Sequence, residues 1–323
     1  MNWQQLFVAF SFGSFLVGSA LHAQQQQQQP AVEGKQAGEQ PPVFRWVNPL
    51  SSSEQQKYPR LQHATFRSDS MGVAVGYCIY LPPQYEQQSG ARFPVVYYLH
   101  GGRPGSEKKS IGLVPLIDEH IRSGDVPPMI YVFVNGGPVS HYNMPNDPGA
   151  QGADVFIREL IPHIDQTYRT IADRSGRAIE GFSQGGRGTA RLMFRYPQLF
   201  CSASPGGGGY STEKRISESG GAESETLVFA AGDNTWDLAR DYAGGIRSGT
   251  VPHPLRILVH VGDKGFNYQN NLDWMQHLRS LGIEHEQEIV PGAEHSARQI
   301  YEHSGVRIML FHATSFGRVA DLR

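Results

Sequence analysis

Arg177-Ala178-Ile179-Glu180-Gly181-Phe182-Ser183-Gln184-Gly185-Gly186 carries the pattern Gly-x-Ser-x-Gly between two segments of different periodicity. Arg177–Glu180 reads as a short strand, and Gln184 onward opens a helical stripe made by Ala190, Met193 and Phe194. Ser183 therefore sits at a strand-to-helix turn. Such a turn strains the serine backbone and pushes its hydroxyl outward, while the flanking glycines let strand and helix approach closely. The helix start also places the Gln184 N–H and the positive end of the helix dipole beside Ser183.

A serine needs a base to become a nucleophile and donors to hold an oxyanion. Tyr97-Tyr98-Leu99-His100-Gly101-Gly102 ends a strand in a glycine turn, the position from which a second N–H is expected, and Gly102 is the favoured donor by register. His100 lies upstream of the serine and reads as a side chain that holds this loop. His295 follows the strand Glu286–Val290 through Pro291-Gly292-Ala293-Glu294 and is the expected base; His303 falls inside a helical stretch. Two apolar runs end in Gly-Asp, at Asp233 and Asp263. The strand before Asp263 adjoins the one that delivers His295, which makes Asp263 the expected acid, with Asp233 and Asp273 as alternatives. None of the 13 histidines forms His-Glu-x-x-His, so neither a metal nor another cofactor is expected.

Outward from the serine, apolar runs alternate with helical patterns. Leu61–Phe66 and Val73–Leu81 read as an opening antiparallel pair, followed by strands at Pro94–His100, Met129–Val134, Arg177–Glu180, Cys201–Ser204, Leu255–Val261 and Glu286–Val290. Ala153, Phe156, Ile157, Leu160, Ile161 and Ile164 form one helical stripe that Pro162 is expected to kink or end; Trp274, Leu278 and Leu281 form another. The alternation predicts an α/β fold: a mainly parallel twisted sheet of about eight strands, helices on both faces, and ligands at the carboxyl ends of the strands.

Leu6 to Leu21 is uncharged and ends in Ala20-Leu21-His22-Ala23, a small-x-small pattern that predicts a signal peptide over 1–23 and a secreted or periplasmic protein. Met1 to Gln5 has no Lys or Arg, a departure from that pattern, and the stretch is short for a span of about 20 apolar residues. No stable membrane insertion is expected after cleavage. Gln24–Gln29 opens a Gln/Pro-rich tether that runs to residue 42, with too little apolar surface to order itself. Residues 43–323 form the expected globular domain. Lys+Arg 28 against Asp+Glu 30, with no basic run, argues against a nucleic-acid partner. Two cysteines are too few for a disulfide scaffold.

The residues Glu159-Leu160-Ile161-Pro162-His163-Ile164-Asp165, the run Arg177 to Gly186, and Pro197 with Phe200 resemble the esterase D / feruloyl esterase group of α/β hydrolases. The similarity extends from about Val73 to the C-terminal helix. It implies an α/β-hydrolase fold and a serine esterase acting on feruloyl, acetyl or similar esters of carbohydrates or related alcohols. Carried over residue by residue, it places the nucleophile at Ser183, the base at His295, the acid at Asp263, and oxyanion donors at Gln184 and near Gly102. The chain departs from the group at Gln184, where methionine is common, and at His141-Tyr142, where the loop commonly carries Trp or Tyr. In the implied strand order Cys78 and Cys201 lie about four strand spacings apart, ~19 Å, which predicts two free, buried thiols. His141, Tyr142, Trp236 and Phe266 are candidates to line the substrate site over the strand ends. The same machinery serves an acyltransferase with a sugar acceptor, and a non-catalytic carbohydrate-binding protein is the rival of another class. The sequence leaves the oligomeric state open.

Overall fold

The computed structural model describes residues 44–318. The expected signal peptide (1–23) and the expected tether (24–42) lie outside the described residues. Eight strands form one sheet: β1 (Leu61–Arg67), β2 (Ala74–Tyr80), β3 (Val95–Leu99), β4 (Ile130–Val134), β5 (Arg177–Phe182), β6 (Ser202–Gly206), β7 (Arg256–Gly262) and β8 (Glu286–Val290). Their order is β1-β2-β4-β3-β5-β6-β7-β8. β1 and β2 form the antiparallel opening pair, β2 meets β4 antiparallel, and every later pairing is parallel. Each expected strand is present within one or two residues of its expected bounds. The run Leu227–Ala231, which precedes the alternative acid Asp233, contributes only an isolated bridge from Val228 to Ala222.

The helices in chain order are α1 (Ser52–Lys57), α2 (Pro83–Gln87), α3 (Val114–Ser123), α4 (Gly152–Asp154), α5 (Ile161–Thr167), α6 (Gln184–Arg195), α7 (Tyr210–Glu218), α8 (Thr235–Ser248), α9 (Tyr268–Ser280) and α10 (Ala297–Arg318). Strand alternation assigns them to two layers. Val95, Tyr97 and Leu99 of β3 point into a core completed by Phe156, Leu160 and Ile164, by Ala190 and Met193 of α6, and by Trp274 and Leu278 of α9. Val96 and Tyr98 point the other way, onto Ile117 and Ile121 of α3 and Tyr301 and Met309 of α10. A parallel sheet covered on both faces leaves its strand ends as the accessible edge.

Pro162 does not end its helix. Val155–Leu160 is a π-helical segment that joins α4 to α5, and the Ile161 N–H reaches back five residues to the Phe156 carbonyl. Pro162, which has no N–H to donate, follows this segment directly as the second residue of α5. Cys78 lies within β2 and Cys201 immediately precedes β6; both are free and buried, four strand positions apart in the sheet.

Candidate active site

Ser183 follows β5 with φ 60° and ψ −117°, a conformation rarely taken by residues with a side chain. Only glycine fits the adjoining positions: a Cβ on Gly185 would lie 1.9 Å from the Leu99 carbonyl oxygen, and one on Gly186 2.1 Å from that of Gly206. The Ser183 N–H donates to the Gly206 carbonyl (2.9 Å), locking the corner against β6. The turn after β8 brings His295 to the same rim. Its Nε2 lies 2.9 Å from Ser183 Oγ.

The expected acid requires correction. Asp263 accepts from the Gly292 N–H at 2.8 Å and so ties the loop after β7 to the loop after β8, while the His295 Nδ1 bond goes to another residue. The chain then makes a tight turn, with Gly265 N–H to Gly262 O at 3.1 Å and Tyr268 N–H to Gly265 O at 2.9 Å. That turn carries Asn267 to the start of α9, where its Oδ1 lies 3.1 Å from His295 Nδ1. Of the alternatives, Asp233 pairs with Arg195 at 2.8 Å, and Asp273 accepts from the Gln269 amide within α9. The position beside the base is held by an amide that sequence reasoning, looking for charge, passes over.

The loop after β3 is fixed carbonyl by carbonyl. His141 Nε2 donates to His100 O (3.1 Å), His100 Nδ1 to Gly101 O (3.0 Å), and Ser140 Oγ to Gly102 O (2.6 Å). His100 Nε2 in turn accepts from the Gly136 N–H at 3.1 Å, so this ring carries its proton on Nδ1. Lys109 Nζ donates to Pro104 O at 2.5 Å and reaches Gly101 O at 3.5 Å. With three successive carbonyls held on one side, the peptide planes are set, and their N–H groups cannot swing without breaking these bonds. Gly101 abuts the nucleophile: its Cβ would lie 3.2 Å from that of Ser183. Gln184 opens α6, so its N–H has no partner in the preceding turn of helix.

Three of the four expected substrate-lining residues are enclosed. His141 and Tyr142 are buried. Tyr142 is stacked on Phe229 and donates to Glu213, and Arg191 lies over its ring while donating to the His141 carbonyl. Both residues brace the site from below and present no open face, a correction to the expectation. Trp236 is likewise enclosed: its Nε1 donates to Tyr210 O at 2.9 Å and its ring packs on His277. Phe266 alone is open. It is 70% exposed, and its ring centroid is 4.4 Å from that of His295, which also meets Phe182 at 4.8 Å.

Burial lowers the His295 pKa to about 4. His100 and His260, wholly enclosed, are also lowered to about 4 by burial, and His141 is lowered for the same reason. These rings are buried neutral. Below about pH 6.5 the unfolded chain binds protons that the native state refuses, so stability is fully present above that pH and falls on acidification until the native His100 and His260 rings titrate near 4. His100 and His260 each contribute on the order of a few kcal/mol to this loss. Thermal melts from pH 7.5 to 4 should show a progressive fall in Tm, and His260→Gln should flatten it; a Tm independent of pH over this window contradicts the assignment.

A family model described as Esterase matches residues 68–303. Esterases from two strains of Mycobacterium tuberculosis are 28% identical over 258 residues, which is 72% of this chain and 55% of theirs. The chain thus spans about half the length of these curated relatives. An endo-1,4-beta-xylanase/feruloyl esterase of Xylanibacter ruminicola is 32% identical over 154 residues, 43% of this chain and 20% of that protein. Among solved structures, a ferulic acid esterase superposes with a TM-score of 0.64 at 23% identity, covering 79% of this chain and 98% of its own. A fluorophosphonate-binding serine hydrolase of Staphylococcus aureus gives 0.63 at 17%, covering 78% and 98%. The fold is that of the α/β hydrolases.

Proposed function

The chain belongs to the Esterase family, and from that premise we propose that it is an exported serine esterase that hydrolyses acyl esters of carbohydrates or related alcohols. The observation that carries this reading is the 2.9 Å approach of His295 Nε2 to a serine held in the strained elbow conformation. Ser183 Oγ attacks the ester carbonyl as its proton passes to Nε2, and the carbonyl oxygen takes the negative charge. The Gln184 and Gly102 N–H groups receive that oxyanion. Collapse breaks the bond to the alcohol oxygen, which leaves with the proton from Nε2. Water then repeats the sequence on the acyl-serine, with His295 again as base, and frees the acid.

Phe266 supports an acyl group or sugar with a flat face. An exposed aromatic ring against the catalytic imidazole offers a stacking surface beside the reacting serine and histidine. Phe266→Ala should raise KM several-fold for a feruloyl ester and by less for an acetyl ester; equal effects on both would remove Phe266 from acyl recognition. The reading as a whole is tested by a panel of acetyl, feruloyl and longer acyl esters run beside Ser183→Ala, with products analysed in the presence and absence of a sugar acceptor. Free acid as the main product is expected. Acylated acceptor in its place would reassign the protein as an acyltransferase, and no turnover or fluorophosphonate labelling would leave a non-catalytic binding protein.

A further inference from the structure

We propose that Asn267, a neutral amide, is the positioning residue for His295, and that this site carries out acyl transfer without a carboxylate behind its base; the inference rests on the serine-esterase reading above. The amide has only one orientation open to it. Its Nδ2 donates to the carbonyls of Gly207 and Gly208, the latter at 3.2 Å, and carbonyls accept but cannot donate. Oδ1 therefore faces the imidazole and accepts from Nδ1. This fixes the tautomer: the proton sits on Nδ1 and the Nε2 lone pair points at Ser183 Oγ. In a serine-protease triad, asparagine in place of the aspartate costs about 10⁴ in turnover because it leaves the imidazole in the wrong tautomer. Here the two glycine carbonyls prevent that. Asn271 reinforces the frame, its Nδ2 donating to Gly208 O (3.1 Å) and to Asn267 O (2.8 Å).

The same frame disfavours aspartate at 267, since one carboxylate oxygen would face two carbonyl oxygens. No carboxylate pairs with the imidazole among the described residues. Asp263 is bound to the Gly292 N–H, and Glu294, in the turn of His295 itself, makes its backbone bond to Gln299. Lys264 holds the Ala293 carbonyl through its backbone. Lys109 lies across the loop after β3, and His260 lies behind Phe182, bonded to Ser204. The burial that lowers the His295 pKa is unopposed by any neighbouring negative charge. One position nearby would bring such a charge beside the pair at the cost of a small backbone adjustment. A Cβ on Gly265 would lie 3.4 Å from Asn267 Oδ1 and 3.6 Å from the His295 backbone nitrogen, close to Gly262 O at 3.2 Å.

The test is the pH profile of kcat/KM on a nitrophenyl ester for the full chain and three variants, with fluorophosphonate labelling and Ser183→Ala as the reference. Assayed below its Tm at each pH, the unaltered protein should keep its activity below the ordinary histidine range, with an acid limb near pH 4. Asn267→Ala should lower kcat at least tenfold with a smaller change in KM. Gly265→Asp should move the acid limb upward by about one to three pH units, because a nearby negative charge stabilises the imidazolium. Asp263→Asn should leave the position of the acid limb unchanged. An Asn267→Ala protein that melts normally and turns over normally overturns the inference. So does a folded Gly265→Asp with an unmoved acid limb, or an Asp263→Asn that shifts it. These results differ from failure of the esterase reading itself, which would show as full activity in Ser183→Ala and would remove both.

Discussion

Ser183→Ala is expected to lower kcat on a nitrophenyl ester by up to about 10⁶ while leaving the melting temperature nearly unchanged. The loss is large because nucleophile and base act as a unit: without Oγ there is nothing for His295 Nε2, 2.9 Å away, to deprotonate. The fold has little reason to respond. The backbone at φ 60° is as uncomfortable for alanine as for serine, and the bond that locks the corner runs from the Ser183 N–H to Gly206 O, which the substitution keeps. His295→Ala should fall to a similar rate, and the double variant no further, since the two residues support one event. Residual turnover within tenfold of the unaltered protein would mean that the acyl group is transferred elsewhere.

Much of this arrangement is legible in the sequence. Strands β3, β4 and β7 are short, mostly apolar and bounded by turn residues, so their positions follow from the residue pattern. The glycines of Gly181 to Gly186 mark a close approach whatever the rest of the chain does. The base was legible because a histidine after a terminal strand and a Pro-Gly turn has few places to go. The partner of that base was not. Asp263 and Asn267 are four residues apart, and which of them reaches Nδ1 depends on how the turn through Gly265 folds, a matter of angles that residue type does not encode. His141 and Tyr142 misled for a related reason. A polar aromatic pair after a strand suggests an open pocket, yet Ser140 and His141 both take positive φ, which turns the chain inward beneath the glycine loop, where Arg191 and Glu213 receive it. Long-range partners decide such positions.

The same glycines supply the second large effect, on stability. Gly185→Ala is expected to destabilise the protein by at least about 3 kcal/mol, although helix propensity taken alone favours alanine at this site in α6 by about 1 kcal/mol. Sterics outweigh propensity here. The new methyl carbon would sit 1.9 Å from Leu99 O and 2.5 Å from Leu99 C, both backbone atoms of a central strand that cannot rotate away. Either α6 lifts from β3 or the loop after β3 moves, and both displacements reach Ser183 and the N–H groups beside it, so activity should fall with stability. Gly244→Ala is the matched control. That glycine lies within α8, with nothing within 4 Å of its Cβ position, and there the same substitution should stabilise by about 1 kcal/mol. For a domain of this size a change of 3 kcal/mol lowers Tm by roughly 6–12 °C. If Gly185→Ala melts within about 2 °C of the unaltered protein, helix and strand are not in contact at the elbow, and the close approach that exposes Ser183 would have to arise some other way.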